Sequence, residues 1–265
     1  MPLSAPRSIS PSKVTSFTDC PLAFRFSVLE RRPEPPSAAA VKGTLVHRTL
    51  EGLFWSHPPG ARTPEAARHE FDLAWAALGD DPEWAALGLS PEEETAFRAD
   101  AETLTTNYFA IEDPNTVNPV GVELGLEADL GDVRLRGIID RLDLTESGDL
   151  VVIDYKTGRA PSERYERAKM SGVHIYALLC EVVLGRPPVE VRLLHLREPI
   201  SIVAVPTEQT LRGQRRRTEA VWDAIERACD KEDFRPRPGP LCRFCNFQAL
   251  CPANGGTLPD VAVAS

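Results

Sequence analysis

Three consecutive stretches in which apolar and polar residues alternate decide the fold: GVELGLEADL at 121–130, DVRLRGIIDRLDL at 132–144 and LVVIDYKT at 150–157. Alternation with a period of two is typical of β-strands. Short turns at Gly131-Asp132 and at residues 147–149 join the stretches. The sequence therefore predicts a meander of three strands.

Helical patterns and two further strands surround this meander. Upstream, Ser10-Pro11 opens a helix to about Thr18, CPLAFRFSVLE continues as a second helix, and a third covers roughly residues 38–57. Downstream come a helix at about 162–184, the strands VEVRLLHLRE and ISIVAVP, and a helix that Thr207 caps and that ends near Cys229. This order predicts an α/β sandwich.

The third stretch carries a constellation of charged residues. In a strand, alternate residues share a face, so Asp154 and Lys156 project together and Tyr155 projects to the other side. The tight turn can bring Asp140 beside Asp154, and two facing acids repel each other unless a cation lies between them. Oxygen ligands suit Mg²⁺ or Mn²⁺, and a nearby lysine can position a water or stabilise charge on a phosphate. The pattern predicts a metal-assisted phosphodiester hydrolase site.

An isolated D-x-K is more often a surface salt bridge at a sheet edge. Against that alternative, the apolar run VVI immediately before Asp154 places the charged pair at the end of a buried strand.

The motifs GIIDRLDL and VVIDYKTG resemble the PD-(D/E)xK nuclease superfamily, specifically its RecB-family exonuclease branch. SPSKVTSFTDCPLAFRF and GTLVHRTLEGLF look like that branch's N-terminal cysteine segment and histidine helix. The resemblance covers most of the chain outside about residues 58–116 and the last dozen. It implies a restriction-endonuclease-like mixed sheet flanked by helices, and a metal-dependent DNA exonuclease.

The resemblance also implies roles for individual residues. Asp140 and Asp154 match the metal-binding acids, Lys156 matches the catalytic lysine, and the Tyr155 carbonyl could complete the metal shell. His47 matches a histidine that supplies a further metal ligand. Taken alone, this histidine on an apolar helix face would more often be a packed core residue.

Two weaker candidates concern metal or DNA contact. Glu123 could assist metal, water or DNA binding, and a solvated strand acid is an equal alternative. Tyr176 matches a DNA-contacting tyrosine on the helix after the lysine strand. The branch usually has a glutamine four residues earlier, where this chain has Gly172 with His174 nearby. This departure puts the contact to the DNA end in question and removes no metal ligand.

Six cysteines without a secretion signal favour reduced thiols or a metal site over disulfides. Cys242, Cys245 and Cys251 form a compact trio, and Cys20 is the candidate for a fourth ligand. Four cysteines can hold zinc or an iron–sulfur cluster. The C-x2-C-x5-C trio with one distant cysteine resembles the 4Fe–4S staple of RecB-like and CRISPR-adaptation exonucleases. Such a cluster would join the termini, with zinc as the alternative, while Cys180 and Cys229 are expected to be buried small residues.

The charge of the chain is unevenly distributed. There are 30 basic and 39 acidic side chains, a formal charge of −9, which argues against a surface that coats DNA non-specifically. Residues 61–112 hold 12 acids and 3 bases, which is the whole excess. This stretch is predicted to be an acidic, solvated helical insert with a helix that begins at Ser90-Pro91.

Basic and aromatic residues elsewhere in the sequence are candidates for contacts with DNA. The cations that could face phosphates are Lys13, Arg25, Arg31, Arg32 and the three arginines at 215–217. For the three arginines, the default expectation is that they are solvated charges on the surface of a helix. Four phenylalanines could stack on bases, but core packing is expected for them: Phe17, Phe24, Phe26 and Phe244.

The predicted organisation has five parts: N-terminal helices with Cys20 and His47 at 1–57, an acidic insert at 58–116, a nuclease core at 117–232, an iron–sulfur segment at 233–253 and a flexible tail at 254–265.

With no apolar span and no signal sequence, we expect a cytoplasmic protein away from membranes. We expect it to act on single-stranded DNA or duplex ends in repair, recombination or foreign-DNA processing. No Walker A motif is present, so a helicase or repair factor would be a separate partner. The alternatives are a non-catalytic iron–sulfur scaffold that binds DNA and a CRISPR-adaptation nuclease.

Overall fold

The computed structural model describes residues 3–161 and 163–258, with the backbone alone at 163–171 and 173. Most of the predicted flexible tail, residues 259–265, lies outside the described residues. None of the helices in the described ranges is long and apolar enough to cross a membrane.

The predicted α/β architecture is confirmed. The helices are α1 (Pro11–Asp19), α2 (Pro21–Phe24), a π-helical turn (Arg25–Leu29), α3 (Ala38–Ser56), α4 (Pro64–Leu78), α5 (Pro82–Ala86), α6 (Pro91–Tyr108), α7 (Glu163–Leu184) and α8 (Glu208–Asp230). The strands are β1 (Pro119–Leu130), β2 (Val133–Leu144), β3 (Leu150–Lys156), β4 (Glu190–His195) and β5 (Ile200–Ala204). Three short 3-10 turns follow at Pro240–Phe244, Gln248–Leu250 and Pro252–Asn254.

The five strands form one mixed sheet in the order β1-β2-β3-β4-β5. The first three form the predicted meander, because Gly131 and Gly148 adopt the left-handed backbone that the two tight turns require (φ +63° and +84°). β3 and β4 are parallel, since α7 carries the chain back to the starting edge, and β5 returns antiparallel.

By its internal contacts the chain divides into two compact units. The first comprises residues 1–35, 127–137 and 208–265, and the second comprises 36–126 and 138–207.

The second unit has a core in which one face of the sheet packs against helices. Val151, Ile153 and Tyr155 of β3 share this core with apolar residues of α3, α4 and α6. The predicted helix start at Ser90 is confirmed by a complete capping box with Glu93. The insert is less solvated than its composition indicates, because Phe71, Leu78 and other apolar residues of α4 and α6 are buried in this core.

The first unit packs α1 against α8. Phe17, Phe24 and Phe26 are buried, as predicted, and so are Cys180 in the second unit and Cys229 in this one. The prediction of core packing is wrong for Phe244, which is 69% exposed. Its ring stacks instead under the Arg243 guanidinium, because the short 3-10 turn that carries it has no buried face.

Candidate metal centre

The pairing of β2 with β3 brings the predicted acids together. Arg141 pairs with Ile153 in the antiparallel register, and the same register sets Asp140 opposite Asp154. The backbone N–H of Tyr155 donates to Asp140 Oδ2 at 2.6 Å. Both aspartates are buried, at 8% and 4% exposure. Two buried carboxylates face each other, which requires a positive charge between them or beside them.

His47 reaches the same place from α3. Its Nε2 lies 3.2 Å from the Tyr155 carbonyl oxygen, and its Nδ1 lies 3.5 Å from Asp140 Oδ1. The tautomer in which Nε2–H donates to that carbonyl leaves the Nδ1 lone pair facing the carboxylates, as a metal ligand requires. The Tyr155 carbonyl, which was predicted to complete the metal shell, is thus placed to orient His47 as well.

Glu123 lies closer to the centre than the sequence indicated. Its Oε1 is 3.8 Å from His47 Nδ1, and ligand atoms of His47, Glu123 and Asp140 all lie within 4.8 Å of one another. Glu123 has a left-handed backbone, with φ +47°, which is strained for a non-glycine residue. Such strain is concentrated at functional sites. The donor set of one imidazole and two carboxylates suits a divalent cation such as Mn²⁺.

The electrostatics of the cluster favour a cation. Burial opposes protonation of His47, but hydrogen bonds to Asp140 and Glu123, together with the charges of Asp140 and Asp154, outweigh it and raise the pKa of His47 to about 10. Burial also raises the pKa of Asp154, and Asp140 adds to this while Lys156 opposes it. The cluster therefore holds more negative charge than its protein surroundings neutralise.

Lys156 contacts the Asp154 carboxylate directly, and its side chain is 43% exposed. This ion pair opposes the rise in the pKa of Asp154 that burial causes. The ammonium group is thus held beside the acids but is open to an incoming ligand.

Tyr176 of α7 is also near the acids. Burial raises the pKa of its hydroxyl, and the charges of Asp154, Asp140 and Glu123 raise it further. Gly172 presents no side chain where the resemblance would place a glutamine, and among the described residues no atom lies within 4 Å of the position that a Cβ would take. Burial lowers the pKa of the neighbouring His174.

A cavity of about 420 Å³ opens beside the cluster. Its walls come from one face of α3 and from β1, and they include His47, Arg48, Glu51 and Glu123. This volume lies in the range of small-ligand sites.

A model of the PD-(D/E)XK nuclease superfamily matches residues 8–252. The chain belongs to this superfamily. Among curated relatives, the Gene 69 protein of Mycobacterium phage D29 is 24% identical, over 92% of this chain and 96% of its own length. The Gene 69 protein of Mycobacterium phage L5 is 26% identical, and that match spans 49% of this chain and 44% of the phage protein. The crystal structure of a Eubacterium rectale protein provisionally named an exonuclease has a TM-score of 0.55 at 14% identity, over 90% and 86% of the two chains.

The mixed five-stranded sheet with flanking helices matches the fold of this nuclease superfamily. Membership together with the His47–Glu123–Asp140 set supports a metal-dependent nuclease.

The other face of the same two strands carries a buried polar network that the sequence analysis missed. Arg141 is fully buried, and its Nε and Nη2 donate to Asp143 at 2.9 Å each. Its Nη1 donates to Glu112 at 2.5 Å and to the hydroxyls of Tyr108 and Tyr155 at 3.1 and 3.0 Å. Burial alone would lower the pKa of Arg141, yet these partners keep it well above its ordinary value. The network fixes the Tyr155 ring, and the Tyr155 backbone in turn contacts Asp140 and His47.

The four cysteines of the proposed cluster lie in the first unit. The charges of Cys20, Cys242 and Cys251 add to burial in raising the pKa of Cys245, so these three thiols lie within electrostatic range of the fourth. Backbone N–H groups point at two of the sulfurs: Arg237 N–H donates to Cys20 Sγ at 3.5 Å, and Gly239 N–H donates to Cys242 Sγ at 3.3 Å. The C-terminal segment that precedes the trio thus contacts the distant Cys20 through Arg237.

Proposed function

We propose that the protein is a Mg²⁺- or Mn²⁺-dependent deoxyribonuclease of the RecB-like type that hydrolyses phosphodiester bonds at DNA ends. The observation that carries the proposal is the convergence of His47, Glu123 and Asp140 beside the Asp154–Lys156 pair. These are donors for a divalent cation next to a partly exposed ammonium group.

The proposed roles follow from the geometry. His47, Asp140, Asp154 and Glu123 would hold the cation, which supplies Lewis-acid stabilisation of the charge that develops on the phosphate. Lys156, held by Asp154, would donate a hydrogen bond to the attacking water or to a phosphoryl oxygen. The Tyr155 backbone would keep Asp140 and His47 in register through its N–H and its carbonyl.

Action at an end rather than within a strand is the finer part of the proposal. The cavity beside His47 and Glu123 gives space for a terminal nucleotide. The provisional name of the Eubacterium rectale relative agrees with this assignment. We further propose that the substrate is DNA in repair, recombination or processing, with a helicase or repair factor as partner and Tyr176 as a strand contact.

We also propose that Cys20, Cys242, Cys245 and Cys251 bind a 4Fe–4S cluster. The electrostatic influence of three thiols on Cys245 and the N–H groups aimed at two sulfurs support a thiolate site. Contacts between the same segments, such as the Phe26–Phe247 ring pair at 5.3 Å, would be reinforced by ligation. Protein purified without oxygen should be brown and should contain iron and sulfide, and Cys20→Ala should lose both. A colourless protein that contains zinc, or no metal, would overturn this assignment.

The deciding assay for the activity compares wild type with Asp154→Ala on end-labelled single-stranded and duplex DNA with Mg²⁺ or Mn²⁺. We expect cleavage by the wild type alone, with products that shorten progressively from an end. Equal cleavage by both proteins, or none by either, would reject the mechanism and favour a non-catalytic DNA-binding scaffold. Internal cuts in circular DNA would reject the restriction to ends.

A further inference from the structure

The N-terminal segment is attached to the tip of the β1–β2 hairpin in the first unit. Ile9 N–H donates to Arg134 O at 2.8 Å, and Arg136 N–H donates to Ile9 O at 2.9 Å. Leu135 between them is fully buried, and alternate strand residues point to opposite faces. Arg134 and Arg136 therefore both project into solvent from the same face of β2.

Lys13 of α1 lies next to this attachment. Its Nζ donates to Ser8 O at 2.8 Å, one residue before the bridge at Ile9. The first turn of α1 contains no acidic residue, although acids are the side chains favoured at that end of a helix. Burial lowers the pKa of Lys13, and the charges of Arg136 and Arg31 lower it further. Lys13 thus lies close enough to both arginines to be repelled by them.

Several other cations of this unit are paired with acids. Arg25 and Arg32 both bind Glu30, at 2.6 and 2.5 Å. Arg134 binds Glu127 at 3.0 Å and Asp129 at 3.2 Å. Within residues 3–161 and 163–258, no acidic partner is found for Lys13, Arg31 or Arg136.

The backbone at Arg31 is a second, independent feature. Arg31 has φ +50°, in the left-handed region that a residue with a side chain rarely adopts. It directly follows the π-helical turn Arg25–Leu29 and Glu30, and the hydrogen bond from Arg32 N–H to Phe26 O at 2.9 Å closes the segment. Both π-helical turns and strained residues are concentrated at functional sites.

We propose that Lys13, Arg31 and Arg136 form a binding site for the phosphate backbone of DNA, separate from the metal centre. The proposal rests on the proposed nuclease function, because a nuclease that cleaves DNA must bind this polyanion. Phosphates would relieve the repulsion between Lys13 and the two arginines, and arginine and lysine contacts to phosphates hold DNA independently of its sequence. An acidic protein would in this way engage DNA at a local site.

The chain offers matched controls for a test. Arg136→Gln and Arg134→Gln remove the same charge two positions apart on one strand, and only Arg134 is already neutralised by acids. Lys13→Gln and Arg31→Gln complete the set. Binding of fluorescent DNA is measured by anisotropy in EDTA, where no cleavage occurs, over a series of salt concentrations, and thermal melts check folding.

Each lost phosphate contact lowers the slope of log affinity against log salt by about 0.9 for duplex DNA and about 0.7 for a single strand. We expect that reduction for Lys13→Gln, Arg31→Gln and Arg136→Gln, and the wild-type slope for Arg134→Gln. Equal slopes for Arg136→Gln and Arg134→Gln, or no measurable binding by wild type, would overturn the proposal.

The outcome is independent of the cleavage assay. A wild type that cleaves DNA while all variants keep its slope refutes this surface and leaves the proposed function standing. A wild type that binds with the expected slope differences but does not cleave refutes the activity and supports the surface.

Discussion

Two charged clusters lie on opposite faces of the same two strands, and they differ in how fully their charges are satisfied. On one face, Asp140 and Asp154 are buried next to each other, with Lys156 and His47 as the only nearby cationic groups in the described part of the chain. On the other face, Arg141 makes a bidentate pair with Asp143 and bonds to Glu112 and two tyrosine hydroxyls. The Asp140–Asp154 cluster, which has too few cationic partners, has the properties of a binding site. The Arg141 network, whose charges are fully paired, has those of a structural element that holds other residues in place.

The connection between the two faces is a single residue. The Tyr155 hydroxyl accepts from Arg141, while its backbone N–H donates to Asp140 and its carbonyl contacts His47. The T-shaped contact between the His47 and Tyr155 rings, at 5.8 Å, adds a second constraint. The network thus restrains the geometry of the acids through one side chain.

The largest effects are expected from one substitution on each face of β2. Asp140→Asn should reduce cleavage by at least about 100-fold, the loss typical of removing one electrostatic group at a reaction centre. It should leave the free energy of unfolding without metal unchanged or higher, because it removes one of two repelling carboxylates. Asp143→Asn should lower that free energy and keep most of the cleavage rate. Denaturant unfolding in EDTA and cleavage kinetics are measured for both variants. Equal losses of activity and of stability in Asp140→Asn and Asp143→Asn would show that the two faces of β2 do not differ in role.

Arg141→Met should destabilise the protein by about 3–5 kcal/mol, because it leaves Asp143 and Glu112 buried without their cation. Urea unfolding measures the loss. Arg134→Met, which removes an exposed ion pair on the same strand, is the control and should change little. A loss below about 1 kcal/mol for Arg141→Met would show that the Arg141 network contributes little to the stability of the fold.

Divalent cations should stabilise the protein by binding to the Asp140–Asp154 face of the strands and not to the Arg141 face. At a Mn²⁺ concentration of about 100 times its dissociation constant, the wild type should gain about 2.7 kcal/mol. Asp140→Asn should gain much less, because it lacks a ligand, whereas Asp143→Asn should respond like the wild type. Thermal melts with Mn²⁺ and with EDTA provide the measurement, and an equal gain by all three proteins would place the cation elsewhere.

Tyr155→Phe tests the connection between the faces. Removing the hydroxyl deletes one hydrogen bond to Arg141 and should cost about 1 kcal/mol of stability. Outer-sphere changes of this kind also weaken metal affinity, by about 10-fold or more. The metal concentration for half-maximal cleavage should therefore rise while the KM for DNA stays constant. A rise in the KM for DNA with unchanged metal dependence would contradict the positioning role.

The smallest effect is expected for a partly exposed cluster of ion pairs around Asp100 in the second unit. Hydrogen bonds from Arg197 and Lys42 lower the pKa of Asp100 to about 2. Because this pKa is depressed in the folded state, the stabilisation is present above about pH 4 and is lost as the pH falls towards 2. The carboxylate is 35% exposed and screened by solvent, so we expect less than about 1 kcal/mol. Unfolding of the wild type and of Asp100→Asn at about pH 5 and about pH 3 should show a larger loss for the wild type; equal losses would remove this contribution.

Local patterns were sufficient to predict the meander and its acids. Period-two alternation and two glycine turns set β1 to β3, and the short second turn brings Asp140 to Asp154 whatever the rest of the chain does. The Ser90 cap likewise depends on a few neighbouring residues. Cys20 and His47 were assigned through resemblance, because their partners are distant in sequence.

Other features depend on packing between distant segments, and no local pattern reveals them. The left-handed backbone of Glu123, which aims its carboxylate at His47, has no sequence signature. Arg141 looked like an ordinary alternating strand residue, and its partners Tyr108 and Glu112 come from the end of the insert. The insert is predicted to be solvated for the same reason, since its composition does not show which of its apolar residues pack into the core of the second unit.

By itself, the sequence determined the strands, their turns and the pairing of the two aspartates, because these follow from contacts between residues close along the chain. Only the tertiary structure decided which charges are satisfied. It placed Glu112 against Arg141 and His47 against Asp140, and it left the Arg136 side chain without an acidic partner among the described residues. The physical reason is that the free energy of a charge depends on burial and on neighbours in space, and both are set when distant segments pack together.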